Sequence, residues 1–249
     1  MVTKRIVFVG VGGQGNLLAS RLLGEAALAS RLPVKVAEVH GMAQRGGVVE
    51  SSVIMGQAVS PIVSDGEADV IVGFEPAETL RALNKANRRT VVITSTSKLP
   101  PFTVAIGQAS YPETGDILSL IKAKVKKLIA FDAMELALKA DNPLGVNMVL
   151  LGALAAAGDL PLKEAALRKA IETKTKKAFL EANLKCFQLG AEASSARATS
   201  LTPGRRPGLT VRGVILTARF KFLGRVVLGH DTRSGSVGRG RNAPGSNSF

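Results

Sequence analysis

The segment Gly10-Val11-Gly12-Gly13-Gln14-Gly15 follows the apolar run Ile6-Val7-Phe8-Val9 directly and precedes a helical pattern through Leu17, Leu18, Arg21 and Leu22. Few arrangements accommodate such a run. A buried strand must end, the chain must reverse where side chains would obstruct it, and a helix must start at once. Glycine permits the reversal and a close approach of the backbone, while the first N–H groups of the helix and its dipole favour an anion. The spacing matches the G-x-G-x-x-G fingerprint of dinucleotide-binding folds, which makes Gly10, Gly12, Gly13, Gln14 and Gly15 candidate cofactor-binding residues. The same turn also serves as a tight connection that binds nothing.

Apolar runs bounded by turn residues recur at 6–9, 34–39, 48–54, 70–74, 91–94 and 128–131, with helical patterns between several of them. That alternation predicts a Rossmann-like α/β fold, an open sheet with flanking helices. A helix is expected over 17–29, and Glu75-Pro76 opens another over 77–87, since proline suits a first helical turn. The pattern then becomes helical. An apolar segment at 144–157 reads as a buried helix, and 163–190 as an amphipathic one, with Gly158-Asp159-Leu160-Pro161 as the break between them.

The net charge of +14 resembles a nucleic-acid signature until it is divided along the chain. Residues 1–190 carry 23 basic and 17 acidic side chains, whereas residues 191–249 carry 10 and 2, so most of the excess lies in the last quarter. The body favours Lys, and Lys122, Lys124, Lys126 and Lys127 read as a solvated helix face. Beyond residue 190 there are nine Arg and one Lys among Ser, Gly and Pro. Two segments follow: an α/β domain over 1–190 and a basic Arg/Gly/Ser-rich tail over 191–249, read as disordered or foreign and expected to be dispensable for folding. The tail motivates a nucleic-acid-binding reading, but Trp is absent and aromatic residues make up only 4%, with no recognisable nucleic-acid-binding motif.

No apolar stretch reaches the ~18 residues of a membrane span, and the first apolar run is too short for a secretory signal, so a cytoplasmic protein without a membrane partner is expected. Catalytic apparatus is scarce. Two His and one Cys, Cys186, do not make the common zinc motifs or an iron–sulfur ligand set. Neither a nucleophile elbow nor a phosphate-binding P-loop occurs. No metal ligands and no catalytic residue are assigned.

A dinucleotide reading wants an acidic residue at the end of the second strand, and Glu38 is so placed. With the glycine turn it motivates a stand-alone NAD- or FAD-dependent oxidoreductase. The following segment, His40-Gly41-Met42-Ala43-Gln44-Arg45-Gly46-Gly47, is not something a dinucleotide fold requires. Arg45 before two glycines sets a cation beside a backbone that a ligand or another chain can approach, and Gln44 adds an amide. Glu50, Ser51 and Ser52 extend the polar surface, or the whole stretch is a plain polar loop. His40 alone reads more readily as structural than as a base.

These stretches, with Ser60-Pro61, Gly66-Glu67-Ala68-Asp69, Gly73-Phe74-Glu75-Pro76, Tyr111-Pro112 and Asn147-Met148-Val149-Leu150-Leu151-Gly152-Ala153, resemble the indolepyruvate:ferredoxin oxidoreductase beta subunits of the gamma-domain family of 2-oxoacid:acceptor oxidoreductases. The resemblance covers about residues 1–190. Ile54-Met55-Gly56 departs from it where members often carry a basic residue before the glycine. The resemblance implies a complex that oxidatively decarboxylates indolepyruvate or related aryl 2-oxo acids, forms acyl-coenzyme A and passes electrons to ferredoxin. It also implies that a partner alpha subunit carries thiamine diphosphate, Mg2+ and the iron–sulfur clusters, that coenzyme A is a co-substrate, and that this chain alone binds no cofactor and is inactive. His40, Gln44, Arg45, Gly46, Gly47 and Ser51 are then expected at the substrate or subunit interface, and the glycine turn near it, to shape the active site or help receive coenzyme A.

Overall fold

The computed structural model describes residues 3–40, 47–100, 104, 107, 110–157 and 160–198. Strands β1 (Lys4–Val11), β2 (Val34–His40), β3 (Val48–Met55), β4 (Ala68–Gly73), β5 (Ala86–Ser95) and β6 (Lys127–Phe131) form one sheet in the order β2-β3-β1-β4-β5-β6. Each contains one of the apolar runs. Those runs are continuous because the central strands are covered on both faces. Ile6 and Phe8 of β1 enter one core, and Val7 and Val9 the other.

Helices α1 (Asn16–Ala29), α4 (Ala133–Lys139), α5 (Val146–Ala156), α6 (Glu164–Lys174) and α7 (Lys177–Ala198) build the larger core on the Ile6/Phe8 face. On the opposite face lie α2 (Pro76–Arg81), a 3-10 turn (Ala82–Lys85) and α3 (Thr114–Lys124). Helix α5 is buried as its composition predicts: its first nine residues, Val146 to Leu154, are all buried. Among the described residues no helix is long and apolar enough to cross a membrane.

The sheet is mixed. β1, β4, β5 and β6 run parallel, while β3 is antiparallel to both β1 and β2. A β2–β3 hairpin therefore separates β2 from β1, where a dinucleotide-binding half would pair the two side by side. The helix expected over 77–87 ends early, because residues from Ala86 onward join the sheet opposite Ala68. Thr90 secures that extension by donating its hydroxyl to the Ala68 carbonyl at 2.6 Å. The long helix expected over 163–190 is two helices. Thr175 ends α6 by directing both its backbone N–H and its hydroxyl at the Ile171 carbonyl, a competition that bends or stops a helix.

Helix α7 continues past residue 190 to Ala198, so the boundary drawn there falls inside it. Ser194 is buried on its packed side. Truncation after Gly190 is therefore expected to remove two helical turns from the core and lower Tm by about 5 °C or more; circular dichroism melts of the two chains would show it. An unchanged Tm would mean that this end of α7 packs without contributing stability.

Candidate functional site

After β1 the chain passes to one face of the sheet through α1, and after the neighbouring parallel strand β4 it passes to the other through α2. The carboxyl ends of β1 and β4 therefore flank the switch point of the sheet, where open α/β folds form their ligand crevice. The glycine turn lies on one side of that point and Phe74-Glu75-Pro76 on the other. Val48 and Val49, which open β3, lie opposite Val11 and Gly10 and bring the β2–β3 connection to the same edge.

Within the crevice the turn is braced by its own side chains. Gln14 accepts the Val11 N–H at 2.8 Å and donates its amide to the Phe74 carbonyl at 3.2 Å, while Phe74 N–H donates to the Val9 carbonyl at 2.8 Å. Each such bond contributes about 0.5–1.5 kcal/mol net. Gly10 is required by this closure: a Cβ there would stand 2.7 Å from Phe74 Cβ and 2.8 Å from the Gln14 amide oxygen. Gly15 caps α1 in the left-handed conformation at φ 81°, without a side-chain cap, and a Cβ on it would meet the Asn147 amide at 2.7 Å. Gly13 faces open space.

Gly12 donates its N–H to the Gly47 carbonyl at 2.8 Å. This bond joins the two most distinctive sequence segments directly, although its partners lie 35 positions apart. Asn16 reinforces it by donating its buried amide to the Val49 carbonyl at 2.8 Å. The backbone of His40 closes β2 opposite Val49. Its side chain, together with Gln44, Arg45 and Gly46, lies outside the described residues.

Ser51 and Ser52 do not continue a polar surface: both are buried. Ser51 faces the α1 side beside Phe8 and Glu38, and its hydroxyl has no partner among the described residues. Ser52 points the other way and donates to the Pro61 carbonyl at 2.6 Å. Glu38 is engaged by Arg21 of α1 in a two-pronged pair at 2.8 and 3.0 Å. With β3 between it and β1, this carboxylate does not occupy the ribose-binding position that motivated a dinucleotide enzyme.

Glu75 is a further site residue that pattern reading leaves without a role. Its carboxylate is buried at the end of β4, where it caps α2 by accepting the Glu78 N–H at 3.0 Å and receives the Tyr111 hydroxyl on its other oxygen. Burial, reinforced by the Glu75 carboxylate, pushes the Tyr111 phenol well above its ordinary range. Burial also raises Glu78, against the pull of Arg81, whose guanidinium lies 2.6 Å away. Tyr111 stays a proton donor, and the bond fastens the segment before α3 to the crevice. The signals available were Glu before Pro at a strand end and the single tyrosine of the chain.

Residues 5–193 match the family described as pyruvate ferredoxin/flavodoxin oxidoreductase. The chain is 38% identical over 190 residues to an indolepyruvate oxidoreductase subunit IorB of Methanothermobacter thermautotrophicus, covering 76% of this chain and 97% of the relative. It is 40% identical over 196 residues to the protein of the same name from Thermococcus kodakarensis, covering 78% and 97%. Among solved structures, it is similar in fold to the 2-oxoglutarate:ferredoxin oxidoreductase of Magnetococcus marinus, with a TM-score of 0.62 at 19% identity over 83% of this chain and 33% of that one.

Proposed function

The chain belongs to the pyruvate ferredoxin/flavodoxin oxidoreductase family, as a subunit of a 2-oxoacid:ferredoxin oxidoreductase of the indolepyruvate type, and from that premise we propose that it completes an active site whose cofactors an alpha subunit holds. The Gly12–Gly47 hydrogen bond supports this reading most directly. It fixes Gly47 to the switch point of the sheet, so that a partner approaching that edge meets the glycine turn and the start of β3 together. In this reading Arg45, two residues before Gly47, positions a carboxylate or phosphate without acting as acid or base. Together with the glycine turn it borders the site where an aryl 2-oxo acid reacts or coenzyme A enters.

We infer that the other cofactors of the reaction are held outside this chain. Cys186 is the single thiol and is buried, and among the described residues no three His, Cys, Asp or Glu side chains converge as a metal site. Thiamine diphosphate with Mg2+ supplies the carbanion-stabilising chemistry of decarboxylation, and we place both, with the iron–sulfur clusters, in the partner. Ferredoxin takes the electrons from the assembled enzyme.

The purified chain is therefore expected to show no indolepyruvate-dependent reduction of ferredoxin or of a viologen dye, and to restore that activity when mixed with an alpha subunit that is inactive alone. Saturable restoration at a fixed subunit ratio would carry the assignment. Turnover by this chain alone, or full activity of the alpha subunit without it, would overturn it.

A further inference from the structure

A cavity of about 280 Å³ opens between the first turn of α1, the approach to α5 and the α6–α7 junction. Its volume is just below the low end of the ~300–1,000 Å³ typical of ligand pockets, enough for one ring system and far short of a dinucleotide. Leu18, Leu144, Met148 and Phe179 supply apolar walls, of which Leu144 and Phe179 are more than half exposed.

The polar lining is formed by three asparagines, Asn142, Asn147 and Asn183, with Thr175 and two lysines. Asn147 and Asn183 are only 5% and 8% exposed. Asn183 accepts the Asn142 amide through its oxygen at 2.8 Å, and the oxygen of Asn147 takes the Met148 N–H at 2.9 Å. Their amide nitrogens have no partner among the described residues. Neither nitrogen is sealed from solvent, so both are available to donate to an acceptor in the cavity. Asn147 also lies in the first turn of α5, whose cap Gly145 offers no side chain to the helix N-terminus, so the local dipole favours negative charge as well. Two lysines stand at the rim. Lys174 is paired with Glu25 at 3.0 Å, whereas Lys176 forms no ion pair among the described residues.

Two amide donors, one available cation and apolar walls of single-ring size suit one chemical class. We propose that this cavity binds a monoanionic aryl carboxylate, with the carboxylate held by Asn147, Asn183 and Lys176 and the ring against Leu144 and Phe179.

Phenylacetate is a suitable probe, titrated into the full chain and into the assembled enzyme while the methyl NMR signals of Leu18, Leu144 and Met148 are followed. Saturable shifts with a Kd on the order of 1 mM are expected for a ligand of this size. Phenylacetamide, which lacks the charge, should bind about tenfold more weakly, as should phenylacetate to Lys176→Glu and to Leu144→Asp. Both substituted residues are exposed, so the fold should survive. The reading needs no turnover, and so it is separable from any role of Arg45. Three results would overturn it: no saturation by 20-fold above that Kd (about 20 mM), equal affinity for phenylacetamide, or binding to the free chain that disappears on assembly, which would make the cavity a seat for a side chain of the partner.

Discussion

Gly152→Ala is expected to cost the chain about 3 kcal/mol or more, a large part of the ~5–15 kcal/mol that holds a typical domain together. The reason is a close crossing between α5 and α7. A Cβ on Gly152 would overlap the Phe187 carbonyl and approach the Ala191 nitrogen at 3.1 Å, and a Cβ on Gly190 would overlap the Val149 carbonyl in return. Each helix lays its backbone on a glycine of the other. Backbone cannot swing aside as a flexible side chain can, so the helices must separate, and α5 is the element that fills the larger core. A fall in Tm of about 10 °C follows for a chain of this size. Gly115→Ala is the control, because a Cβ there meets nothing within 4 Å and alanine favours the helix. If the two variants melt together, the crossing is looser than this geometry.

The strands were legible because each apolar run is bounded by residues that stop it. Their order was not. The pattern of residues 48–55 is that of a strand buried on both faces, and nothing in it says that it pairs between β1 and β2. The polar pair Ser51-Ser52 is misleading for the same reason. Alternate residues of a strand face opposite sides, and here both sides are covered, one by α1 and the other by the segment that includes Pro61. Helix α4 had a readable start in Asp132-Ala133-Met134-Glu135, where Asp132 accepts the Glu135 N–H at 2.9 Å, but its seven residues give too short a period to register.

At the site, the position of the glycine turn was legible and its internal bracing was not. Gln14 occupies a place in the fingerprint that tolerates many residues, and its importance lies in reaching the carbonyl of Phe74, 60 residues away. Tyr111 and Glu75 are similarly joined only by the fold, across 36 positions. The fingerprint alone suggested a pocket for a dinucleotide. The hydrogen bonds show the turn closed on itself with Gly13 left open, and the hairpin beside it takes the place of the missing neighbour strand.

Arg45→Ala is expected to impair the reconstituted enzyme about ten- to a hundredfold while leaving the fold of this subunit intact. The arginine is two residues from Gly47, whose carbonyl is fixed by Gly12, so the segment that carries it is anchored at its far end to the switch point. Loss of one charge-assisted hydrogen bond to a carboxylate or phosphate removes about 1.5–3 kcal/mol, which is that range in an affinity or in kcat/KM. Two measurements separate the possible ligands. A rise in the KM for coenzyme A at unchanged subunit affinity places the arginine on that substrate, and weaker assembly with normal turnover at saturating partner places it on the alpha subunit. Arg45→Lys keeps the charge but not the planar two-pronged geometry, so partial rescue by lysine would mark a point-charge contact and no rescue a bidentate one. Should Arg45→Ala assemble and turn over within twofold of the original at every coenzyme A concentration, the segment is a structural connection between β2 and β3, and the functional edge of this subunit lies elsewhere.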